Sequence, residues 1–181
     1  VNLNSTRIGI LKFLKLMKAK VWIINKKNYK GEIIGDIKIK STEKFKSINC
    51  PESLNSASID EFLLIFLVAA KSKGISSFKN LSELNKKESP RLNIAISFLK
   101  MLGIKVIRKK NDIKIFGNPK IKLNGKYHIK NFVKDHRIFM MSVVAALTLG
   151  GKGWKIENKD SIKTSFPDFL NILKKIGARI N

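Results

Sequence analysis

A single cysteine, Cys50, excludes an internal disulfide and any cysteine-built metal cluster in this chain of 181 residues. Its two histidines, His128 and His136, lack the spacing and the company of a metal site. The expected setting is therefore reducing and cytoplasmic. Long apolar runs are also missing. The longest, Phe62–Ala70, falls well short of the roughly 20 residues that cross a bilayer. The opening Val1-Asn2-Leu3-Asn4 has no charged-then-apolar signal pattern and no initiator methionine, so the chain reads as starting in mid-domain. Without proline- or serine-rich linkers, one domain over 1–181 is expected.

Acidic residues are scarce, at 13 against 37 Lys and Arg, which leaves a net charge of +24. Such an excess suggests a nucleic-acid binder. Nearly all of it is lysine, however, spread through every segment beside abundant Ile and Asn. Lysine gives less directional recognition of phosphate than arginine, and diffuse charge gives only nonspecific attraction. A basic nucleic-acid-binding module is therefore the second reading. The hydrophobic fraction of 44% is that of a globular chain with a sizeable core.

Periodicity gives mixed α and β structure. Ile8, Leu11, Leu14 and Met17 mark an amphipathic helix over Thr6–Lys18. Val21–Ile24 reads as a buried strand and Gly31–Lys40 as an exposed-face strand or hairpin arm. A loop follows over Ser41–Leu54, with a short strand near Ile48. Ser58 and Glu61 form a capping box for a buried helix Asp60–Lys71, closed by Gly74 and followed by strand Ile75–Lys79. Ser89 caps a helix Pro90–Leu102 that ends at Gly103, before strands Lys105–Arg108 and Asp112–Phe116. Gly117–Val133 is mostly loop and strand edge. Helix His136–Leu149 stops at Gly150, strand Trp154–Glu157 follows, and the last helix starts at Ser165–Asp168 and ends near Gly177.

The pattern repeats. The segment Phe13-Leu14-Lys15-Leu16-Met17-Lys18-Ala19-Lys20-Val21 resembles Phe98-Leu99-Lys100-Met101-Leu102-Gly103-Ile104-Lys105-Val106, with a third copy over Leu173–Ile180. Val68-Ala69-Ala70 is answered by Val144-Ala145-Ala146. The fold class is accordingly α/β (α+β), built from repeated units too long for a common solenoid.

Only five arginines occur, and three of them (Arg7, Arg91 and Arg137) lie two residues after Ser5, Ser89 and Asp135. A cation at a helix N-terminus opposes the helix dipole, so it makes better sense beside a docked anion, toward which backbone N–H groups also point. Several helix starts facing one polyanionic ligand would explain all three. Asp60, at another helix start, would be held ionised and could accept a hydrogen bond or a proton from a substrate hydroxyl. Glu88 sits between Lys87 and Arg91 as a second carboxylate in a cationic setting. Two carboxylates with Lys87, Arg91 and Arg137 can hold phosphate or carboxylate groups while moving protons. Taken singly, each of these residues also fits a plain surface charge.

Ile59-Asp60-Glu61-Phe62, Lys87-Glu88-Ser89-Pro90-Arg91, Asp135-His136-Arg137 and Thr164-Ser165-Phe166-Pro167 resemble, in order and spacing, the motifs of the enolpyruvylshikimate-phosphate synthase family. Asn4-Ser5-Thr6-Arg7-Ile8-Gly9 is similar to an Asn-Pro-Thr-Arg-Thr-Gly stretch of the same family. The resemblance implies βαβαββ units forming one domain of the enolpyruvyl transferase two-domain fold. It identifies this chain with most of the carboxy-terminal domain, the amino-terminal domain being absent. It further implies transfer of the enolpyruvyl group of phosphoenolpyruvate to the 5-hydroxyl of shikimate 3-phosphate, by a cytoplasmic monomer needing no metal or organic cofactor, with no membrane or nucleic-acid partner. A fragment alone would turn over nothing measurable. A related transferase acting on a nucleotide sugar is the nearest alternative.

By motif match, Asp60 contacts and deprotonates the hydroxyl, Lys87 contacts shikimate 3-phosphate, and Glu88 protonates the methylene carbon of phosphoenolpyruvate. Arg91 and Arg137 clamp phosphoenolpyruvate. Pro90 replaces an aspartate usual beside the arginine, which puts the aim of Arg91 in question. Lys134 and Ser5 are further departures. No role passes to Thr164, and Lys163 is unassigned.

Overall fold

The computed structural model describes residues 1–130 and 134–180. Its elements run α1 (Gly9–Leu16), β1 (Val21–Tyr29), β2 (Glu32–Ile39), β3 (Phe45–Lys46), α2 (Phe62–Ala70), β4 (Ser72–Phe78), α3 (Arg91–Met101), β5 (Val106–Lys109), β6 (Asp112–Gly117), β7 (Lys126–Ile129), α4 (His136–Leu149), β8 (Gly153–Ile156) and α5 (Phe169–Lys175). From β3 to β6 the order is βαβαββ, one full unit, with sheet order β3-β4-β6-β5. The stretch from α1 to β2 matches the end of such a unit, and the stretch from β7 to α5 matches the beginning of one. In both βαβ steps, α2 and α4 connect parallel strands: β3 beside β4, and β7 beside β8.

The sequence repeat is a structural one. After α1, α3 and α5 the chain turns through Lys18, Gly103 and Gly177, all at positive φ. At each turn two backbone bonds close the end, as in Ile104 N–H to the Leu99 carbonyl and Gly103 N–H to that of Lys100. This is the Schellman geometry. Lys18 adopts it without glycine's freedom.

Several expected boundaries are corrected. The first helix begins at Gly9, because the Asn4 side chain takes the Thr6 N–H and hydroxyl and holds the preceding residues in a turn. Ser5 therefore caps nothing. Strand β1 extends to Tyr29 and is buried only at Val21, since it pairs with β2 alone in a two-stranded ribbon. A two-residue turn at Lys30 and Gly31, both at positive φ, makes that hairpin. Gly74 lies inside β4 rather than at a helix end. The helix closes earlier, where the Ser72 hydroxyl donates to the Ala69 carbonyl and the strand begins at once. The strand edge expected within Gly117–Val133 is the end of β6 at Gly117 and β7, and residues 131–133 lie outside the described residues. The last helix starts only at Phe169, after a 3-10 turn over Lys159–Ile162.

Helix α2 is apolar all round and is buried between its neighbours, as its composition requires. Phe13 of α1, Phe62 and Phe66 of α2, and Phe78 of β4 form one cluster of edge-to-face and tilted rings. Phe66 and Phe78 lie 5.2 Å apart at 72°, and Phe13 and Phe62 lie 5.7 Å apart at 73°. These rings fix the start of α1 against the start of α2. Gly9 permits the approach, because a Cβ there would fall 2.5 Å from the Ala57 carbonyl oxygen. Helix α4 packs along α2, so three helix starts come to one place.

Candidate active site

Asp60 sits two residues before α2, and three arginines reach it from three other segments. Arg137, the second residue of α4, donates from Nη1 to the Asp60 carbonyl at 2.9 Å and lies 3.3 Å from its carboxylate through Nη2. Arg91, the first residue of α3, approaches the other carboxylate oxygen at 3.4 Å. Arg7, in the turn before α1, lies 3.6 Å away with its side chain 75% exposed. The sequence-based idea that arginines near helix starts converge thus holds, although their common partner in the chain is a carboxylate.

Arg91 is the centre of the cluster. Its side chain is 1% exposed, and each nitrogen of the guanidinium has its own acid: Nε to Asp135 at 2.9 Å, Nη1 to Asp60, and Nη2 to Glu88. Glu88 lies on the open side, 61% exposed. Lys87 is exposed beside it and takes no carboxylate partner among the described residues. The structure therefore gathers Asp60, Glu88, Arg91 and Arg137 in one cluster and places Lys87 at its rim.

Two expected caps fail here. Ser89 does not cap α3; its hydroxyl donates to Asp135 at 2.7 Å, 46 residues further along the chain. Pro90 takes the cap position, and Arg91 is the first helical residue rather than the second. Among the described residues the Ser58 hydroxyl, buried against Gly9, has no hydrogen-bond partner, and Glu61 occupies the cap position of α2 without a side-chain bond. Asp135 alone behaves as the sequence suggests. It caps α4 by accepting the Arg137 N–H at 2.9 Å.

Two carboxyls near the arginines are shifted in opposite directions. Burial alone would raise Asp135, but bonds from Arg91, Ser89 and the Arg137 N–H outweigh it and hold the acid below its ordinary value. Burial raises Glu61, with Asp60 adding repulsion and Arg137 and Arg7 offsetting only part of it. The sequence pattern marks Asp135 as the cap of α4 but gives no sign of its bonds to Ser89 and Arg91, and it marks the half-buried Glu61 only as a capping residue.

A family model described as EPSP synthase (3-phosphoshikimate 1-carboxyvinyltransferase) matches residues 1–173. This chain belongs to the EPSP synthase family. The 3-phosphoshikimate 1-carboxyvinyltransferase of Ruthia magnifica is 38% identical across the whole chain, and that of Petrotoga mobilis is 35% identical over 97% of it. The chain spans about 40% of the length of each of these relatives. The structure of an EPSP synthase from Acinetobacter baumannii superposes with a TM-score of 0.87 at 32% identity, covering 97% of this chain and 40% of that one. The enolpyruvyl transferase NikO from Streptomyces tendae, at 15% identity and a TM-score of 0.61, shares the fold alone. Among the described residues, no helix is long and apolar enough to cross a membrane.

Proposed function

We propose that residues 1–181 form one domain, most of the carboxy-terminal domain of a 3-phosphoshikimate 1-carboxyvinyltransferase, and supply one side of its active site. The complete enzyme would transfer the enolpyruvyl group of phosphoenolpyruvate to the 5-hydroxyl of shikimate 3-phosphate and release phosphate. The observation that carries this reading is the convergence of Arg7, Arg91 and Arg137 on Asp60, with Glu88 at the rim, on the segments that match the family's motifs. Its partners are the two substrates and an amino-terminal domain of the same enzyme, acting as a cytoplasmic monomer.

In this reading Asp60 accepts the hydroxyl proton as that oxygen bonds to C2 of phosphoenolpyruvate. Glu88 delivers a proton to the C3 methylene carbon. Loss of phosphate, with return of a proton from the new methyl group, restores the double bond. Arg137 and Lys87 hold substrate anions, and the guanidiniums answer charge that builds at the reacting centre. Arg91 can join them once the exposed Glu88 swings off Nη2, because the other nitrogens face inward.

Phosphate release by a complete enzyme carrying this chain tests the assignment. Asp60→Ala and Glu88→Ala should each lower kcat on the order of 100-fold or more, the usual contribution of a positioned acid or base. Near-normal rates in both variants would remove the assignment.

A further inference from the structure

The functional reading gives no task to Asp135, yet its side chain is fully buried and lies between the two motifs that carry the arginines. Its two oxygens are used differently. Oδ2 accepts from the Ser89 hydroxyl at 2.7 Å and from Arg91 Nε at 2.9 Å, whereas Oδ1 accepts the Arg137 N–H at 2.9 Å. One carboxylate thus ties the start of α3 to the start of α4. Pro90 has no carboxylate of its own to orient its neighbour and no N–H to donate. The stem of Arg91 is therefore aimed by the bond at Nε, which leaves both Nη groups turned toward Asp60 and Glu88.

We propose that Asp135 is the positioning residue of the anion site, setting the aim of Arg91 and its separation from Arg137, and that Ser89 serves it as the second donor. This rests on the functional reading above, with phosphoenolpyruvate as the anion. The alternative is a buried ion pair that stabilises the domain and does nothing for the ligand, a common role for such pairs. The two differ in what they change among folded molecules. A structural pair alters the folded fraction, whereas a positioning pair alters affinity for the anion in molecules that are folded.

Asp135→Asn separates them well. The new side chain keeps an oxygen for the cap of α4 but can present an amide N–H toward Arg91 Nε, donor against donor. In a complete enzyme carrying this chain, with folding checked by circular dichroism, KM for phosphoenolpyruvate should rise on the order of 10- to 100-fold. That range is what losing one well-placed hydrogen bond to a charged group costs in affinity. KM for shikimate 3-phosphate should stay within about twofold. Ser89→Ala should move the phosphoenolpyruvate KM the same way by a few-fold, because Asp135 keeps its charge partner. A folded Asp135→Asn enzyme with an unchanged phosphoenolpyruvate KM overturns the positioning role alone. If that variant does not fold, Ser89→Ala decides by the same criterion. A wild-type enzyme that releases no phosphate from phosphoenolpyruvate overturns the functional reading and the positioning role with it.

Discussion

Replacing Arg91 by methionine keeps an unbranched stem in the core and removes only the fork, so its effect isolates the electrostatics of the cluster. The pair with Asp135 is wholly buried on both sides, and solvent screens it little. The pairs with Asp60 and Glu88 are partly or mostly exposed and add less than about 1 kcal/mol each. Without Arg91, Asp135 keeps the Ser89 hydroxyl and the Arg137 N–H but no cation. Stranding a buried charge in this way costs about 3–5 kcal/mol. For a chain of this length about 2–4 °C is lost per kcal/mol, so the melting temperature should fall by roughly 6–20 °C. Thermal and urea unfolding of the chain followed by circular dichroism measure this directly. Pairing Arg91→Met with Asp135→Leu removes the stranded charge and should be more stable than the single variant, the remaining loss being the helix cap at about 1 kcal/mol and the buried Ser89 hydroxyl left without its acceptor at about 1–3 kcal/mol. The reasoning fails if the single variant lies within about 1 kcal/mol of wild type, or if the double variant is no more stable than the single.

Two further outcomes follow from the same region. Gly9→Ala places a Cβ 1.9 Å from the Ser58 hydroxyl and 2.5 Å from the Ala57 carbonyl oxygen, so backbone must move. A loss of about 1–3 kcal/mol is expected, and an unchanged urea midpoint would contradict the packing. The pH dependence has two components of opposite sign. Asp135 is held below its unfolded value near 3.8, so it gives stability that is present above that pH and drains away as pH falls through the lower folded value. Glu61 is raised above 4.5, so the native state holds its proton longer and stability declines as pH rises from there through the raised value. Denaturation midpoints should show Asp135→Asn flattening the acid limb and Glu61→Gln flattening the decline above 4.5. Identical profiles in variants and wild type would refute both.

How much of this was legible in the sequence depended on the range of the interaction. Helix α4 was read to the residue because Asp135 and Gly150 act on the adjacent backbone. The three matching helix ends were visible as a repeat, because a Schellman turn is local and its residues recur in order. Ser89 misled because a serine before a proline is a good cap by every local rule. Its hydroxyl went instead to a carboxylate on α4, and no local pattern points to a partner that far along the chain. Ser58 failed similarly: the close approach of Gly9, far away in sequence, leaves its hydroxyl buried against another backbone. The convergence of arginines was inferred from spacing, but the burial of Arg91 was not, since a cation at a helix start is ordinarily at the surface.

The arginines are the better guide to the site than the charge total. With 37 Lys and Arg in the chain and lysine the usual cation, a guanidinium marks a place where a planar fork is needed. Arg91 uses three nitrogens on three acids, and Arg137 uses two on one residue. Arg108, outside the cluster, spans the Lys110 carbonyl and the Asn93 side chain. A lysine in any of these places would bring its three donors to a single nitrogen, without the planar fork that reaches partners on separate sides. The excess of +24 is spread over exposed lysines and sets the long-range field. At the site the opposite charges nearly cancel. Asp60, Glu61, Glu88 and Asp135 are four of only 13 acids, and they surround three guanidiniums. A site so nearly neutral in itself can admit an anion where a carboxylate yields its arginine. Glu88, the most exposed of the acids paired to Arg91, is the one placed to yield.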